Sequence, residues 1–230
     1  MCGRYTITDP VEAQAALAPV LDDKTPIGDL PPRFNVAPTQ LVPIAANRET
    51  RALELARWGM VPSWAKDLAI GAKMINARAE SLGEKPAFRD AFARRRCLVP
   101  ADGFFEWQKA GKQKQPYFIH AAGRRPFAFA GLWDRWKQPD GTWLISFTIV
   151  TCSPNALVAG LHDRMPVVVA PADWDRWLAR DALPPEALAD ILAPADPAGW
   201  VAEPVGTFVN QASFDGPECV DSRPAQTSLF

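Results

Sequence analysis

The sequence predicts an α+β fold: one compact domain over residues 1–230, with a largely antiparallel, curved or barrel-like β-sheet core and peripheral helices. Three observations predict it. Short β-branched or aromatic runs outnumber helical stripes, Gly, Pro or Asp turns separate them, and no regular strand–helix–strand alternation favours a doubly wound parallel sheet. A chain of 230 residues that is 48% hydrophobic, with nine tryptophans and twelve phenylalanines, has the material for one sizeable core.

Taken in order, "RYTI" at 4–7 reads as a first strand. "DPVE" at 9–12 starts a helix, with Asp9 as N-cap, Pro10 at the first helical position and Glu12 closing a capping box. Further strands are "LVPIAA" at 41–46, "RALELARW" at 51–58, "RCLVPADGFFEWQK" at 96–109 and "QPYFIHA" at 115–121. "PFAFAGLWDRW" at 126–136, "WLISFTIVT" at 143–151 and "MPVVVA" at 165–170 complete the set. In "WLISFTIVT" the alternation puts Trp143, Ile145, Phe147 and Ile149 on one face. Hairpins are expected around "KAGKQKQ" and "QPDGTW". Helical stripes place Phe88, Ala91 and Phe92, and later Trp174, Trp177 and Leu178, toward the core. The arginines of "ARRR" at 93–96 end a predicted helix, where cations offset the helix dipole.

Composition excludes several classes of function. No apolar run reaches the roughly 18 residues of a membrane-spanning helix, and the N-terminus lacks the basic start and cleavage site of a secretory signal. A cytoplasmic protein is expected. The four cysteines (Cys2, Cys97, Cys152 and Cys219) form no C-x-x-C pair, and with only His120 and His162 the usual zinc spacings are missing, so neither a metal nor another cofactor is expected. Cys97 and Cys152 sit in apolar strand-like runs and read as buried hydrophobes. Net charge is −1, but residues 66–125 hold thirteen basic and six acidic residues, whereas residues 171–230 hold three and ten. That polarity permits a basic face opposite an acidic one, and is equally met by two solvated faces.

The start, "MCGRY", carries the chemical signal. If Met1 is removed, Cys2 bears a thiol and a free α-amine on adjacent carbons, with ordinary pKa values of about 8.5 and about 7.7–8.0. Such an aminothiol has two capabilities: its amine can serve as base for its own thiol, as in N-terminal nucleophile hydrolases, or it can condense with an aldehyde and close to a thiazolidine. An internal cysteine can do neither. Three other motifs set a polar side chain among apolar ones: Asn76 in "MINARAE", Glu106 in "ADGFFEWQK" and His162 in "LHDRMPVVV". Glu106, between Phe105 and Trp107, is placed for a raised pKa and general acid–base work. Each also has a structural alternative: a turn cap, an arginine partner, a satisfied core histidine.

Together these motifs resemble the SOS response-associated peptidase family, the abasic-site processing proteins. The resemblance rests on "MCGRY", "RFNVAPTQ" at 33–40, "RWGMVPSWAKD" at 57–67, "INARAES" at 75–81, "RRCLVPADGFFEWQK" at 95–109, "QPYFI" at 115–119 and "LHDRMPVVV" at 161–169. "VNQASFDGPECV" at 209–220 is a looser match. The resemblance implies that family's compact fold, loss of Met1, and a thiazolidine between the terminal cysteine and an opened abasic sugar in single-stranded DNA. Carried onto this chain, Cys2 is the nucleophile, with Asn76, Glu106 and His162 as catalytic partners. Arg4, Arg78 and Arg164 are the implied phosphate ligands, and Pro38 and Trp64 match positions that wedge between or stack on bases. Trp107 would stack or wall the pocket. The partner is abasic single-stranded DNA, the protein a cytoplasmic monomer that joins the nucleoid on damage. The competing readings are a peptidase acting on other proteins or on its own Met1, and a non-catalytic reader of modified bases.

Overall fold

A computed structural model describes residues 2–24, 29–111 and 113–222. Loss of Met1 concerns a residue outside the described ones. The strands are β1 (Tyr5–Ile7), β2 (Arg33–Val36), β3 (Leu41–Ala46), β4 (Leu53–Trp58), β5 (Asn76–Arg78), β6 (Arg96–Ala101), β7 (Gly103–Ala110), β8 (Gln113–Ala121), β9 (Phe127–Lys137), β10 (Trp143–Cys152), β11 (Met165–Pro166), β12 (Val168–Val169) and β13 (Trp200–Pro204). The helices α1 (Pro10–Leu17), α2 (Arg89–Arg94) and α3 (Trp174–Trp177) lie at the periphery.

Strands β10, β4, β3, β6 and β9 pair in that order, and β9 pairs again with β10, closing a five-stranded barrel. The pairings are antiparallel except that β10 runs parallel to β4 and, outside the ring, to β5. A second sheet, β13-β8-β7-β1-β2, is antiparallel throughout and covers one end of the barrel. Tyr5 of β1 reaches the barrel wall, its ring 5.2 Å from that of Trp58 and 5.8 Å from that of Phe129. Trp58, Phe129 and Phe147 are fully buried, and each such side chain contributes about 1.5–3 kcal/mol.

The expected hairpins form: Lys109 pairs with Lys114 between β7 and β8, and Trp143 with Lys137 between β9 and β10. Asp9 caps α1 by accepting from the Glu12 N–H at 2.9 Å. Phe88, Ala91, Phe92, Trp174, Trp177 and Leu178 are all buried, as are Cys97 and Cys152. Arg96 goes further than a helix-end cation. It is fully buried in β6, and its guanidinium donates to the carbonyls of Phe92 (2.8 Å), Ala93 (2.7 Å) and Trp177 (2.7 Å) and to that of Ala179.

The structure departs from the sequence pattern in four places. Strands β2, β5 and β13 carry no clear sequence signal. "MPVVVA" divides into β11 on β10 and β12 on β9. On β10, Ser146, Thr148 and Val150 are as buried as Phe147 and Ile149, the 59–67 loop meeting the other face where the Val61 N–H donates to the Ser146 hydroxyl at 2.8 Å, while Trp143 at the strand's start is exposed and stacked under Arg135. The run 96–109 is two strands in two different sheets, broken at Asp102.

Asp102 makes that corner. Its carboxylate, 4% exposed, accepts from the Thr6 hydroxyl, the Thr8 N–H, the Thr8 hydroxyl (2.6 Å) and the Asp9 N–H (3.3 Å). The next residue must be glycine, since a Cβ at Gly103 would lie 2.2 Å from the Phe118 ring. A buried carboxylate with this many donors is costly to remove, because each donor is left unsatisfied. Asp102→Ala is expected to lower the unfolding free energy by about 2–4 kcal/mol in urea denaturation, and to loosen residues 2–9 by hydrogen exchange.

Candidate active site at the N-terminal cysteine

Strand β1 lies between β2 and β7, with the Phe105 N–H donating to the Arg4 carbonyl at 3.0 Å and Tyr5 opposite Phe104. That register carries Cys2 and Gly3 past the edge of the second sheet toward β5. There Asn76, paired with Ile149 of β10, donates from Nδ2 to the Cys2 carbonyl at 2.8 Å. The first residues of the chain are thus held between the two sheets. Cys2 is fully buried. Burial, and secondarily the negative charge of Glu106, pushes its thiol far above the ordinary value, so it rests as the thiol rather than the thiolate.

Glu106 shares a face of β7 with Phe104, two residues before it, and that face covers the main core. The carboxyl is 1% exposed, and burial pushes it up to about 7. It is therefore near its midpoint at neutral pH, where a group both gives and takes protons well.

His162 comes from the turn after β10. Asn155 sets this turn: its Oδ1 accepts from the Val158 N–H at 3.0 Å, its carbonyl from Ala159 at 2.9 Å, and Val158 then accepts from His162 at 2.9 Å. Burial holds the imidazole below its ordinary value. Two groups meet Nδ1: the Arg164 N–H donates to it at 3.0 Å, and the Asp163 carboxylate lies 2.8 Å away. The Asp163 contact needs a proton on Nδ1, in the cation or in one neutral tautomer. The Arg164 contact needs a bare Nδ1, and in a neutral ring it goes with a proton on Nε2. Gln108, on the Glu106 face of β7, donates to the Gly160 carbonyl at 3.1 Å and ties the His162 turn to the strand that carries the acid.

The remaining sequence-singled residues fall into separate groups. Arg4 is half-buried beside Cys2, its Nη1 donating to the Gly3 carbonyl at 2.8 Å; burial lowers its pKa. Arg78, at the end of β5, is exposed. Trp64 is 61% exposed at the tip of a loop fixed on either side by Ser63 N–H to Asp134 (3.1 Å) and by the Trp136 indole to the Ala65 carbonyl (2.7 Å). Pro38 is half-buried in a tight turn in which Thr39 takes φ 75°, a left-handed conformation that costs a β-branched residue about 1–3 kcal/mol.

Trp107 and Arg164 sit differently. Neighbours on a strand face opposite ways, so Trp107 points away from Glu106, packs against the second core cluster with Phe105 and Phe118, and donates to Asn210 at 2.7 Å. Arg164 is bidentate to Glu80 (2.6 and 2.9 Å) and donates to the Thr151 carbonyl at 2.5 Å. Its charge is thereby satisfied within the fold, and its backbone rather than its head group touches the site. Sequence reasoning missed Asn155, Gln108 and Glu80; of these only Glu80, inside the "INARAES" motif, carried a visible signal. Among the described residues no cluster of His, Cys, Asp and Glu has the geometry to hold a metal ion, and no helix is long and apolar enough to cross a membrane.

The family model described as SOS response associated peptidase matches residues 1–212. The chain belongs to that family. Other members include the abasic site processing protein YoqW of Bacillus subtilis, 40% identical over 227 residues that span 96% of this chain and 100% of its own. The abasic site processing protein YedK of Escherichia coli is 31% identical, covering 93% of this chain and 97% of its own. A crystal structure of a Bacteroides thetaiotaomicron protein superposes with a TM-score of 0.86 at 26% identity, over 97% of this chain and 100% of that one. These similarities extend over both sheets, so the family fold expected from the motifs is the fold observed.

The raised Glu106 pKa makes a stability prediction. A buried carboxyl that ionises only near pH 7, against 4.5 when unfolded, lends stability that is complete below the unfolded value and is lost as pH climbs through 7. Glu106→Gln, which keeps the shape without the charge, is expected to match the native chain near pH 4 and to exceed it by about 2–3 kcal/mol at pH 8–9, read by thermal or urea unfolding across pH.

Proposed function

We propose that this protein captures abasic sites in single-stranded DNA through Cys2, after hydrolysis of the Met1–Cys2 peptide bond has freed the α-amine. The single observation that carries the reading is the Asn76–Cys2 hydrogen bond, which anchors the terminal residue beside a carboxyl of pKa about 7. The amine attacks C1′ of the ring-opened deoxyribose, giving a carbinolamine. Glu106, as acid, protonates the departing hydroxyl, and water leaves to form the imine. Glu106, now the base, takes the thiol proton, and sulfur adds to the imine carbon to close a thiazolidine. Aldehyde and aminothiol thus become thiazolidine plus one water, with no oxidant or reductant.

A thiol this deeply buried is a poor nucleophile until a neighbour takes its proton, and Glu106 is the neighbour whose charge it feels most. Neutral His162, with its proton on Nε2, donates to the sugar ring oxygen and favours the open aldehyde. Asn76 holds the terminus without adding charge. Capture by sulfur removes the imine that would otherwise promote β-elimination, so the strand stays intact and the protein acts as a shield rather than a strand-cutting lyase.

On the DNA side, Arg4 and exposed Arg78 lie nearest the reaction as phosphate ligands. Trp64, held out on a fixed loop, offers a stacking surface worth about 1–3 kcal/mol per base, and Pro38 a rigid wedge. Arg164 serves the backbone that fixes His162, and Trp107 supports β7 from behind. Hydrolysis at Met1 is the one peptidase step the reading requires.

Purified protein incubated with a single-stranded oligonucleotide bearing one abasic site is expected to give a shifted band on denaturing gels without borohydride. Its mass should equal protein minus methionine residue plus DNA minus water. Cys2→Ala should abolish the band, and Cys2→Ser should leave at most a labile one. A stable adduct from either variant, or from protein that retains Met1, would sink the proposal. The rate of adduct formation is expected to change slope near pH 7, and Glu106→Gln to slow it by about 10²–10⁴-fold while removing that inflection.

A further inference from the structure

At the end of the barrel away from Cys2, where β3 turns into β4 and α2 and α3 finish, lies an open recess of about 540 Å³, within the range of small-ligand sites. It belongs to none of the chemistry above: Cys2 lies by Tyr5, which packs against Trp58 at the C-terminal end of β4, whereas the recess is entered from Arg48, Glu49 and Thr50 before that strand begins.

Its floor is fixed by Asn47, 4% exposed and fully engaged. The amide Nδ2 donates to the carbonyls of Arg94 (3.1 Å) and Ala179 (3.2 Å), and Oδ1 accepts from the Arg96 N–H (3.0 Å) and the Trp133 indole (3.1 Å). One buried amide thereby draws together the backbones that carry Arg94 and Arg180, the two exposed arginines of the rim. The third arginine, Arg48, lies over the Trp133 ring at 4.5 Å and is paired with Glu54.

The charge here is not balanced. Among the described residues no carboxylate stands within ion-pair distance of Arg94, Arg180 or Arg96, as for several other arginines of the chain, whereas Arg48 at the back of the recess has Glu54. Arg96 is the telling member. It is fully buried, and its head group is met by backbone carbonyls alone. A buried guanidinium without a counter-ion is costly, and these carbonyls are the ends of α2 and α3, whose negative dipole ends it offsets. Of the acidic side chains nearby, Glu54 is taken by Arg48, Asp90 and Asp134 by Arg95, and Glu49 and Asp181 stand exposed.

We propose that this recess binds a phosphate oxyanion between the guanidinium groups of Arg94 and Arg180, with Arg48 as its back wall. Planar guanidinium forks match the oxygens of a phosphate in a way a lysine would not, and the bound anion supplies the counter-charge that Arg96 lacks inside the fold. The phosphate is either a free ion or a phosphodiester of a nucleic-acid strand passing the far end of the barrel.

The test follows side-chain N–H resonances by ¹H–¹⁵N NMR, with the Trp133 indole assigned through Trp133→Phe. It is run on the native protein and on Cys2→Ala, so that failure of reaction at Cys2 leaves the readout intact. The probes are inorganic phosphate at constant ionic strength and an unmodified oligothymidylate. Saturable shifts of the Trp133 indole with phosphate, weakened about tenfold or more in Arg94→Gln and Arg180→Gln, support a free-anion site. The same pattern with the oligonucleotide alone supports a strand phosphate. No saturable shift with either probe, or shifts unchanged in both variants, overturns the proposal. Both substitutions are at exposed positions, and unaltered backbone spectra serve as the folding control.

Discussion

The constraint on which the rest depends is the attachment of residues 2–9 to the Asp102 corner. An N-terminal segment of three strand residues has little to hold it, because a short strand at a chain terminus frays unless tied down. Here the tie is a buried carboxylate that accepts from Thr6, Thr8 and Asp9 at the point where the chain leaves the barrel for the second sheet. The same residue therefore sets two things at once: the direction of β7, and the register of β1 against it. Cys2 and Glu106 are brought to a common place because β1 ends and β7 begins at one corner.

Within the site, burial acts in opposite directions on acids and bases. It raises the Cys2 thiol and the Glu106 carboxyl and lowers the His162 imidazole. All three are thereby biased to their uncharged forms, and the terminus is gripped by a neutral amide. Such a site favours neutral partners, and Glu106, near its midpoint at pH 7, is the group poised to change charge. Positive charge stands at its border, on half-buried Arg4 and exposed Arg78.

Much of this was legible in the sequence, and what was missed has physical reasons. Strand positions with strong β-branched or aromatic runs emerged directly, as did the Asp9 cap. Strand β5 did not: three residues give no period, and its pairing with β10 is set some seventy residues away. The break at Asp102 lay hidden because "PADGFF" continues an apolar run through a corner whose cause is hydrogen bonding to residues 6–9. Cys2, Asn76, Glu106 and His162 were singled out through their motifs, but no pattern pointed to Asn155 and Gln108, which act through backbone carbonyls and N–H groups. The outward facing of Trp107 was different, since it follows from strand alternation alone; adjacency to Glu106 in the chain had suggested adjacency in space. Arg96 was read rightly as serving a helix end, yet its complete burial came from the arrival of α3 more than seventy residues later.

The Asn76–Cys2 contact also has a temporal meaning. The segments that enclose the first residues, around 76, 103–106 and 149–162, emerge from the ribosome long after residue 2 itself. Throughout synthesis of roughly the first two-thirds of the chain, Cys2 lacks these neighbours and stays accessible. Once β10 and the turn beyond it are in place, that access closes. The order in which the chain is made therefore divides the life of Cys2 into an exposed stage and an enclosed one.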